Sequence, residues 1–429
     1  MIILIFQTRQ MNQKKRLEIK MEFLTKLFLF YSFFTFYFLF IFILIYLQRR
    51  KEIFNYPPLK KSLSLSIVVP CYNGEEAIAS TISHLINLDY DKLEKIIIVD
   101  DCSTDNSYKI AKEFEKKDKR VLVVQTPKNT GNAAGAKNYG AQFVETELIG
   151  FTDDDSFPLK DSIKKMMGFF ENSKVAVVTP SIYVQTRNTF LEKFQSIEYK
   201  VIAFTRKLLG FIDSIYVTPG PLALYRKKVF DEVGGFDPKN LTEDIEITWH
   251  IVSKGYKVEM CVPAKAYTVA PKTIGGWFNQ RVRWNLGGIQ TLVKYFKSFF
   301  KCGMLGTFII PFFTFSWILA IFGFFILVYR FVRIFIIRFL STKYSLEAQA
   351  AILTLNDINL TPSVLTLFGF VLLFLSIVFT FLALIYTREK EFKSQGILSI
   401  LGYMFFYLLS RPAIMLVSLY KYVKKDMTW

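Results

Sequence analysis

Four stretches of the chain run for more than twenty residues with no charge or only one: Leu27 to Leu47, Met304 to Tyr329, Ser363 to Thr387 and Gly396 to Tyr420, the last interrupted by Arg411. About 20 apolar residues cross the hydrocarbon core of a bilayer as a helix. Transmembrane helices are therefore predicted over 23–50, 304–330, 363–387 and 396–420. Between the first two runs the pattern changes. LSLSIVVP (63–70), KIIIVDD (95–101), RVLVVQ (120–125), LIGFTDD (148–154) and VAVVTP (175–180) are short apolar runs that predict buried parallel strands. Segments 75–88, 105–118 and 132–144 between them predict helices. Strands alternating with helices imply an α/β domain over 60–270 with a mostly parallel sheet covered on both faces. Its ligands should bind beyond the carboxyl ends of the strands. Residues 271–302 mix aromatic and aliphatic residues with Arg and Lys, which predicts one or two amphipathic helices in the membrane interface. Residues 331–362 then form an extracytosolic or interfacial segment, and 1–22 precede the first span.

Composition narrows the class. The chain has 429 residues, 52% of them hydrophobic, and a formal charge of +18. No nucleic-acid-binding motif accompanies that charge, and many Lys and Arg flank the apolar runs, so the charge reads as attraction to a membrane surface. Cys71, Cys102, Cys261 and Cys302 are widely spaced, and only His84 and His250 could join them, which argues against zinc and for reduced thiols. MIILIF at the start is too short for the core of a signal peptide. Met11 or Met21 is an alternative start, since the segment after Met21 opens directly into the first span.

Polar motifs sit at the ends of the predicted strands. TDDDS (152–156) places Asp153 and Asp155 one residue apart after an apolar strand, where two carboxylates can bind a hard divalent cation, Mg²⁺ or Mn²⁺, that bridges phosphate oxygens. A solvated acidic turn would have the same letters. Asp244, in TED (242–244), could accept a proton from an attacking hydroxyl. The alternative is that Thr242 caps a helix and Glu243 and Asp244 only complement its dipole. Gln280, Arg283 and Trp284 in QRVRW (280–284) fall on one helix face. There Trp284 could stack on a sugar and the other two could bind hydroxyls or diphosphate, unless Trp284 and Arg283 merely anchor the interface. PCYNGEE (70–76) adds Pro70, Tyr72, Asn73 and Glu75, with Tyr72 able to stack on a base. DDCSTDNS (100–107) adds Asp101, able to accept a base N–H. Asp154, Gly220 of TPGPLALYR (218–226) and Glu243 complete the substrate-binding candidates. Arg411 lies inside the fourth apolar run beside Pro412, where a charge either serves function or snorkels to the interface.

The ordered set PxYN, DD, DxD, TED and QxxRW resembles the family 2 inverting glycosyltransferases of GT-A fold. Within them it is similar to the membrane-embedded branch of cellulose, hyaluronan, chitin and poly-N-acetylglucosamine synthases. The resemblance runs from about Ser64 to Leu292. It implies that Asp101 contacts uracil, that Asp153 and Asp155 hold the donor phosphates and metal, and that Asp244 is the base. Gln280, Arg283 and Trp284 would line the acceptor site. The chain departs from the family at Cys102, where Gly is usual, and at Asn132, where Lys is expected; Lys137 is the candidate to supply that charge. The expectation is an inverting transferase of the plasma membrane with its catalytic domain in the cytosol. It would use a UDP-sugar and extend a polysaccharide. Single transfer to a lipid, as in ceramide glucosyltransferases, is the first alternative, and an inactive sugar-binding scaffold the second.

Overall fold

Strand β1 (Leu65–Cys71) buries all seven of its residues, which is why its sequence is apolar without alternation. It is the middle of a parallel set. Strand β2 (Leu93–Asp100) lies on one side of it and β4 (Leu148–Phe151) on the other, and β3 (Val121–Gln125) extends β2. Helices α2 (Ile78–Ile86), α3 (Ser107–Lys117) and α4 (Ala133–Ala141) make the crossovers. Gly140 lets α4 lie close on the sheet, since a Cβ there would run into Val68 and Val99.

The computed structural model describes residues 26–27, 29–348, 364–386 and 397–426. Its sheet has eight strands in the order β3-β2-β1-β4-β7-β6-β8-β5. The parallel expectation holds for β3-β2-β1-β4 and again where β6 (Val175–Val184) meets β8 (Lys257–Thr268). Strand β7 (Ala223–Arg226) runs antiparallel between β4 and β6, and β5 (Ser156–Pro158) antiparallel on β8. Strands β5, β7 and β8 had no apolar run long enough to announce them. The hydrophobic core beneath the parallel strands is built from Leu65, Ile67, Ile82, Ile96, Ile98 and their neighbours.

Two more helices complete this part of the chain. Helix α6 (Phe190–Gly210) opens with a capping box: Thr189 Oγ1 accepts from the Glu192 N–H at 3.2 Å, and Glu192 Oε2 accepts from the Thr189 N–H at 2.7 Å. The expected amphipathic stretch after residue 271 is a single helix, α9 (Ile274–Tyr295), which packs on α8 (Glu243–Ser253) and on α12 (Ile397–Val423). Trp277 of α9 is fully buried, with Phe406 of α12 at 4.8 Å between ring centroids. Buried Arg281 of α9 pairs with Glu198 of α6, which also accepts a hydrogen bond from Tyr407 of α12 at 2.6 Å. The last apolar run is thus packed into the larger unit, which comprises residues 45–314 and 383–429.

The other unit comprises residues 1–44 and 315–382. Within it Phe34 stacks on Phe315 at 5.0 Å, Phe42 meets Phe379 at 6.0 Å, and Gly323 lies against Tyr31. Phe33, Phe331 and Phe335 are exposed, as side chains facing lipid would be. Among the described residues three helical stretches are long and apolar enough to cross a membrane: α1 (Leu29–Arg49), Leu305–Glu347 and Leu398–Val423. The second opens as a π turn, Leu305–Ile309, and continues as α10 (Ile310–Glu347). Helix α11 (Val364–Tyr386) carries a shorter apolar stretch. The run expected to end at Tyr329 therefore stays helical to Glu347, over 38 residues in α10 alone. At 1.5 Å per residue that is roughly 57 Å, about twice the hydrocarbon core. Arg333, Arg338 and Lys343 lie on this continuation. Residues 1–25, 349–363 and 387–396, which include the predicted N-terminal segment and the later part of the predicted 331–362 connection, lie outside the described residues.

Helix α9 approaches α8 so closely at Gly287 that a Cβ would collide with the Thr242 side chain. Gly287→Ala is therefore expected to cost about 1–3 kcal/mol of stability by overpacking. Thermal unfolding of the detergent-solubilised chain measures this, and an unchanged melting temperature would show that α9 can slide on α8.

Candidate active site

The carboxyl ends of β1, β2 and β4 stand side by side, so the loops after them converge. The loop after β1 and the loop after β2 are laced together. The Asn73 side-chain oxygen accepts from the Thr104 N–H at 2.8 Å, Glu75 accepts from the Asn106 N–H at 2.9 Å, and the Asn73 N–H donates to Ser103 Oγ at 3.0 Å. Asn73 and Glu75, expected to touch substrate, are thereby spent on bracing these loops, and neither lines the cavity beside them. Asn73 and Cys102 both take left-handed backbone, at φ 53° and 59°. That conformation explains why glycine is the usual residue at the position of Cys102.

Beside these loops lies a cavity of about 800 Å³. It is lined by Pro70, Tyr72, Asp101, Lys137, Asp153, Asp154, Asp155, Gly220, Glu243, Asp244, Gln280, Arg283 and Trp284. Every motif named from the sequence therefore meets in one concavity, with Asn73 and Glu75 the two predicted side chains left out.

Asp101 reaches the cavity, but its carboxylate is already occupied. It accepts from Thr126 Oγ1 at 2.7 Å, from the Thr130 N–H at 2.9 Å and from Thr130 Oγ1 at 2.8 Å. Its contact in the structure is with the loop after β3 rather than with an open acceptor position. The neighbouring Asp100 keeps one buried carboxylate oxygen without a hydrogen-bond partner.

Lys137 holds the centre of the site. It is 2% exposed on α4. Its Nζ lies 2.8 Å from Glu243 Oε1 and 3.3 Å from Asp153 Oδ1. Burial alone would lower the Lys137 pKa, but the charges of Glu243 and Asp153 outweigh it and raise it. Glu243 shows the converse: burial opposes its ionisation, Lys137 more than compensates, and its pKa is lowered. Asn132, where the family has Lys, caps α4 by accepting from the Gly135 N–H at 2.9 Å and donates to the Pro238 carbonyl at 2.8 Å. Lys137 thus brings a lysine to the cavity that Asn132 also lines.

The TDDDS turn follows β4 directly. Asp155 accepts from Thr268 Oγ1 at 3.2 Å and Ser156 Oγ at 3.3 Å through one oxygen only. Burial and the adjacent aspartates push its pKa up to about 7, and burial with Asp153 pushes Asp154 up to about 6. Gly220 faces Asp153 so closely that a Cβ would overlap the carboxylate. Crowded carboxylates with too few protein cations fit a divalent ion. Among the described residues no group of three His, Cys, Asp or Glu side chains could hold one unaided. The arrangement suits a cation held by one or two carboxylates together with phosphate oxygens of a substrate.

The capping alternative for TED fails in its main part. Thr242 makes no side-chain cap and instead hydrogen-bonds Asn240. Asp244 does accept from the Ile245 N–H at 2.9 Å, but it also opens onto the cavity. Burial, then the charge of Glu243, raises its pKa to about 7. Helix α9 pins this turn: the Leu241 N–H donates to Gln290 at 2.9 Å, and Lys294 and Tyr295 each donate to Glu246 at 2.8 Å. Trp284 carries the Arg281 guanidinium 4.0 Å above its ring and lines the cavity rather than serving only as a surface anchor. Arg411 lies over the Tyr407 ring at 5.4 Å.

Sequence reasoning missed the wall supplied by α6. Tyr199, Ile202, Ala203 and Arg206 line the cavity at helical spacing. No polar motif in α6 marked this face in the sequence. Arg281, the unassigned residue inside QRVRW, was missed too, since nothing near it in sequence marks Glu198 as its partner.

The glycosyl transferase family 2 profile matches residues 66–234. A poly-β-1,6-N-acetyl-D-glucosamine synthase of Staphylococcus epidermidis is 32% identical over 250 residues, 58% of this chain and 60% of that one. The protein of the same name from S. epidermidis strain RP62A is 30% identical over 291 residues, 66% of this chain and 70% of that one. The chain thus spans 60% of the length of the first of these relatives. A mannosyltransferase from Pyrobaculum calidifontis, solved with GDP-Man and Mn²⁺, matches with a TM-score of 0.47 at 18% identity, covering 62% of this chain and 75% of that one. A score at that level carries no argument.

Lys137→Met should destabilise the protein by about 3–5 kcal/mol at pH 8, because it leaves Glu243 buried as an unpaired charge. In the wild type the lowered Glu243 pKa contributes stability above the ordinary carboxylate range, lost only as pH falls through the folded value. In the variant the sign reverses, so its deficit in melting temperature should shrink as pH falls from 8 to 5. A deficit independent of pH would show that Lys137 acts through packing alone.

Proposed function

We propose, for a chain that belongs to glycosyl transferase family 2, that it transfers a sugar with inversion from a UDP-sugar to a growing polysaccharide at the plasma membrane, with its catalytic unit in the cytosol. N-acetylglucosamine is the favoured sugar and a polymer the favoured product, because the relatives described above are named as poly-N-acetylglucosamine synthases. The observation that carries the reading is the single cavity in which the acidic turn, TED and QRVRW face one another.

In this reading the donor lies along Pro70, Tyr72 and the TDDDS turn, with Tyr72, which is 52% exposed, free to stack on the base. Asp153 and Asp155 would hold Mg²⁺ or Mn²⁺ against the diphosphate. That ion, when bound, neutralises charge on the leaving group. Lys137 pairs with both Asp153 and Glu243 and keeps Glu243 ionised. Asp244 takes the proton of the acceptor hydroxyl, whose oxygen attacks the anomeric carbon from the face opposite the diphosphate. The carbon–oxygen bond to UDP breaks and the configuration inverts. Gln280, Arg283 and Trp284 hold the acceptor in line.

Incubating the purified full chain with UDP-N-acetylglucosamine and sizing the labelled product tests this. Long chains are expected. A single sugar on a lipid would shift the reading to the lipid-acceptor alternative, and no metal-dependent UDP release to the scaffold. Asp244→Asn should lower turnover on the order of 10²–10⁴-fold with donor binding retained. The raised Asp244 pKa means the base is protonated and idle below about pH 7. The wild-type rate should therefore climb through that pH, while the residual rate of the Asn variant stays flat. Asp153→Ala and Asp155→Ala should each weaken Mn²⁺ and UDP binding together, read by calorimetry. Unchanged affinities in both would make these acids structural.

A further inference from the structure

Arg206 is 5% exposed. It sits on the α6 wall of the cavity with Tyr199, Ile202 and Ala203. Its Nε and Nη1 atoms are buried and have no hydrogen-bond partner. An arginine in this state is costly, because its charge has left water and its fork of donors is unused. Burial indeed lowers its pKa, and the groups that work against that lowering are Tyr216, Asp244 and Tyr199. The carboxylate among these groups is Asp244, which lines the same cavity. Tyr216 also lines the cavity, and its ring is held against Phe313 at 4.7 Å.

We propose that Arg206 binds the acceptor: its guanidinium donates to an oxygen of the terminal acceptor saccharide, a ring hydroxyl or an acetamido carbonyl, between the Tyr199 and Tyr216 side chains. This rests on the saccharide-acceptor reading given above. The surroundings suit such a ligand. Two phenol rings and two aliphatic side chains offer contact to the apolar face of a sugar, and one fixed fork of N–H donors sets its orientation. In the reading given above the donor diphosphate is neutralised by the ion that Asp153 and Asp155 would hold, and it does not need this cation.

The test uses the full-length protein in detergent with UDP-N-acetylglucosamine and phosphate-free N-acetylglucosamine oligosaccharides as acceptors. Arg206→Met should raise the acceptor KM by at least roughly tenfold, as expected for loss of a hydrogen bond from a charged donor, with the donor KM within about twofold of wild type. Arg206→Lys should recover part of the loss. The Met variant should also melt at or above the wild-type temperature, because it removes a buried unpaired charge. A residue that served only the fold would instead lower the melting temperature and leave the acceptor KM alone, and that result overturns the proposal. So does a donor KM that rises as much as the acceptor KM, or an effect seen only with a phosphate-bearing lipid acceptor. A wild-type protein that elongates no oligosaccharide sinks the saccharide reading itself. Wild-type elongation with an unaffected Met variant sinks only the role of Arg206.

Discussion

Two acidic motifs ninety residues apart in the chain meet on one ammonium group. Lys137 carries Glu243 of TED and Asp153 of TDDDS at 2.8 and 3.3 Å. Without it the cavity would gather the carboxylates of Asp153, Asp154, Asp155, Glu243 and Asp244 with no ammonium group among them. Burial has already moved Asp154, Asp155 and Asp244 upward. One cation cannot serve all five. What it does is divide them: Glu243 is held ionised, Asp244 is left near neutrality, and the TDDDS pair remains short of positive charge. In the reading proposed above, a proton acceptor and a cation-binding pair would arise from the unequal distribution of a single lysine.

The parallel half of the sheet was legible because its strands are buried on both faces and read as unbroken apolar runs. So were the motif positions, since polar letters at the ends of such runs have few structural uses. The antiparallel strands were not legible: β5 has three residues and β7 four, too few to carry a pattern. Among the site residues, type alone did not reveal how Asp101, Asn73 and Glu75 are held. Each is a good ligand by chemistry, but its hydrogen bonds go to neighbouring loops, and only the packing of the loop after β3 and the loop after β2 decides that. Arg206 was invisible for the opposite reason. An arginine on an ordinary amphipathic helix announces nothing until its burial and lack of partners are known.

The loops around the cavity also show how local backbone demands and function intersect. Asn73 and Cys102 hold left-handed conformations at the ends of adjacent strands. Asparagine tolerates this well, and cysteine less so. The bracing by Asn73, Glu75, Ser103 and Asn106 offsets that strain and fixes the rim from which Tyr72 projects.

The Glu198–Arg281–Tyr407 contact carries a practical meaning for anyone cutting the chain. Hydrophobicity divides it into a water-soluble middle and membrane helices, and a fragment ending near residue 300 looks like a natural domain. Such a fragment would lose α12. Trp277 would lie bare, the Phe194 ring would lose Gly402, and the buried pair of Glu198 and Arg281 would be opened to water. The cooperative unit of folding therefore includes a segment more than a hundred residues further along, itself apolar enough for a bilayer. Covalent order and folding order do not coincide, and the α/β domain and the last apolar helix are one object to purify, not two.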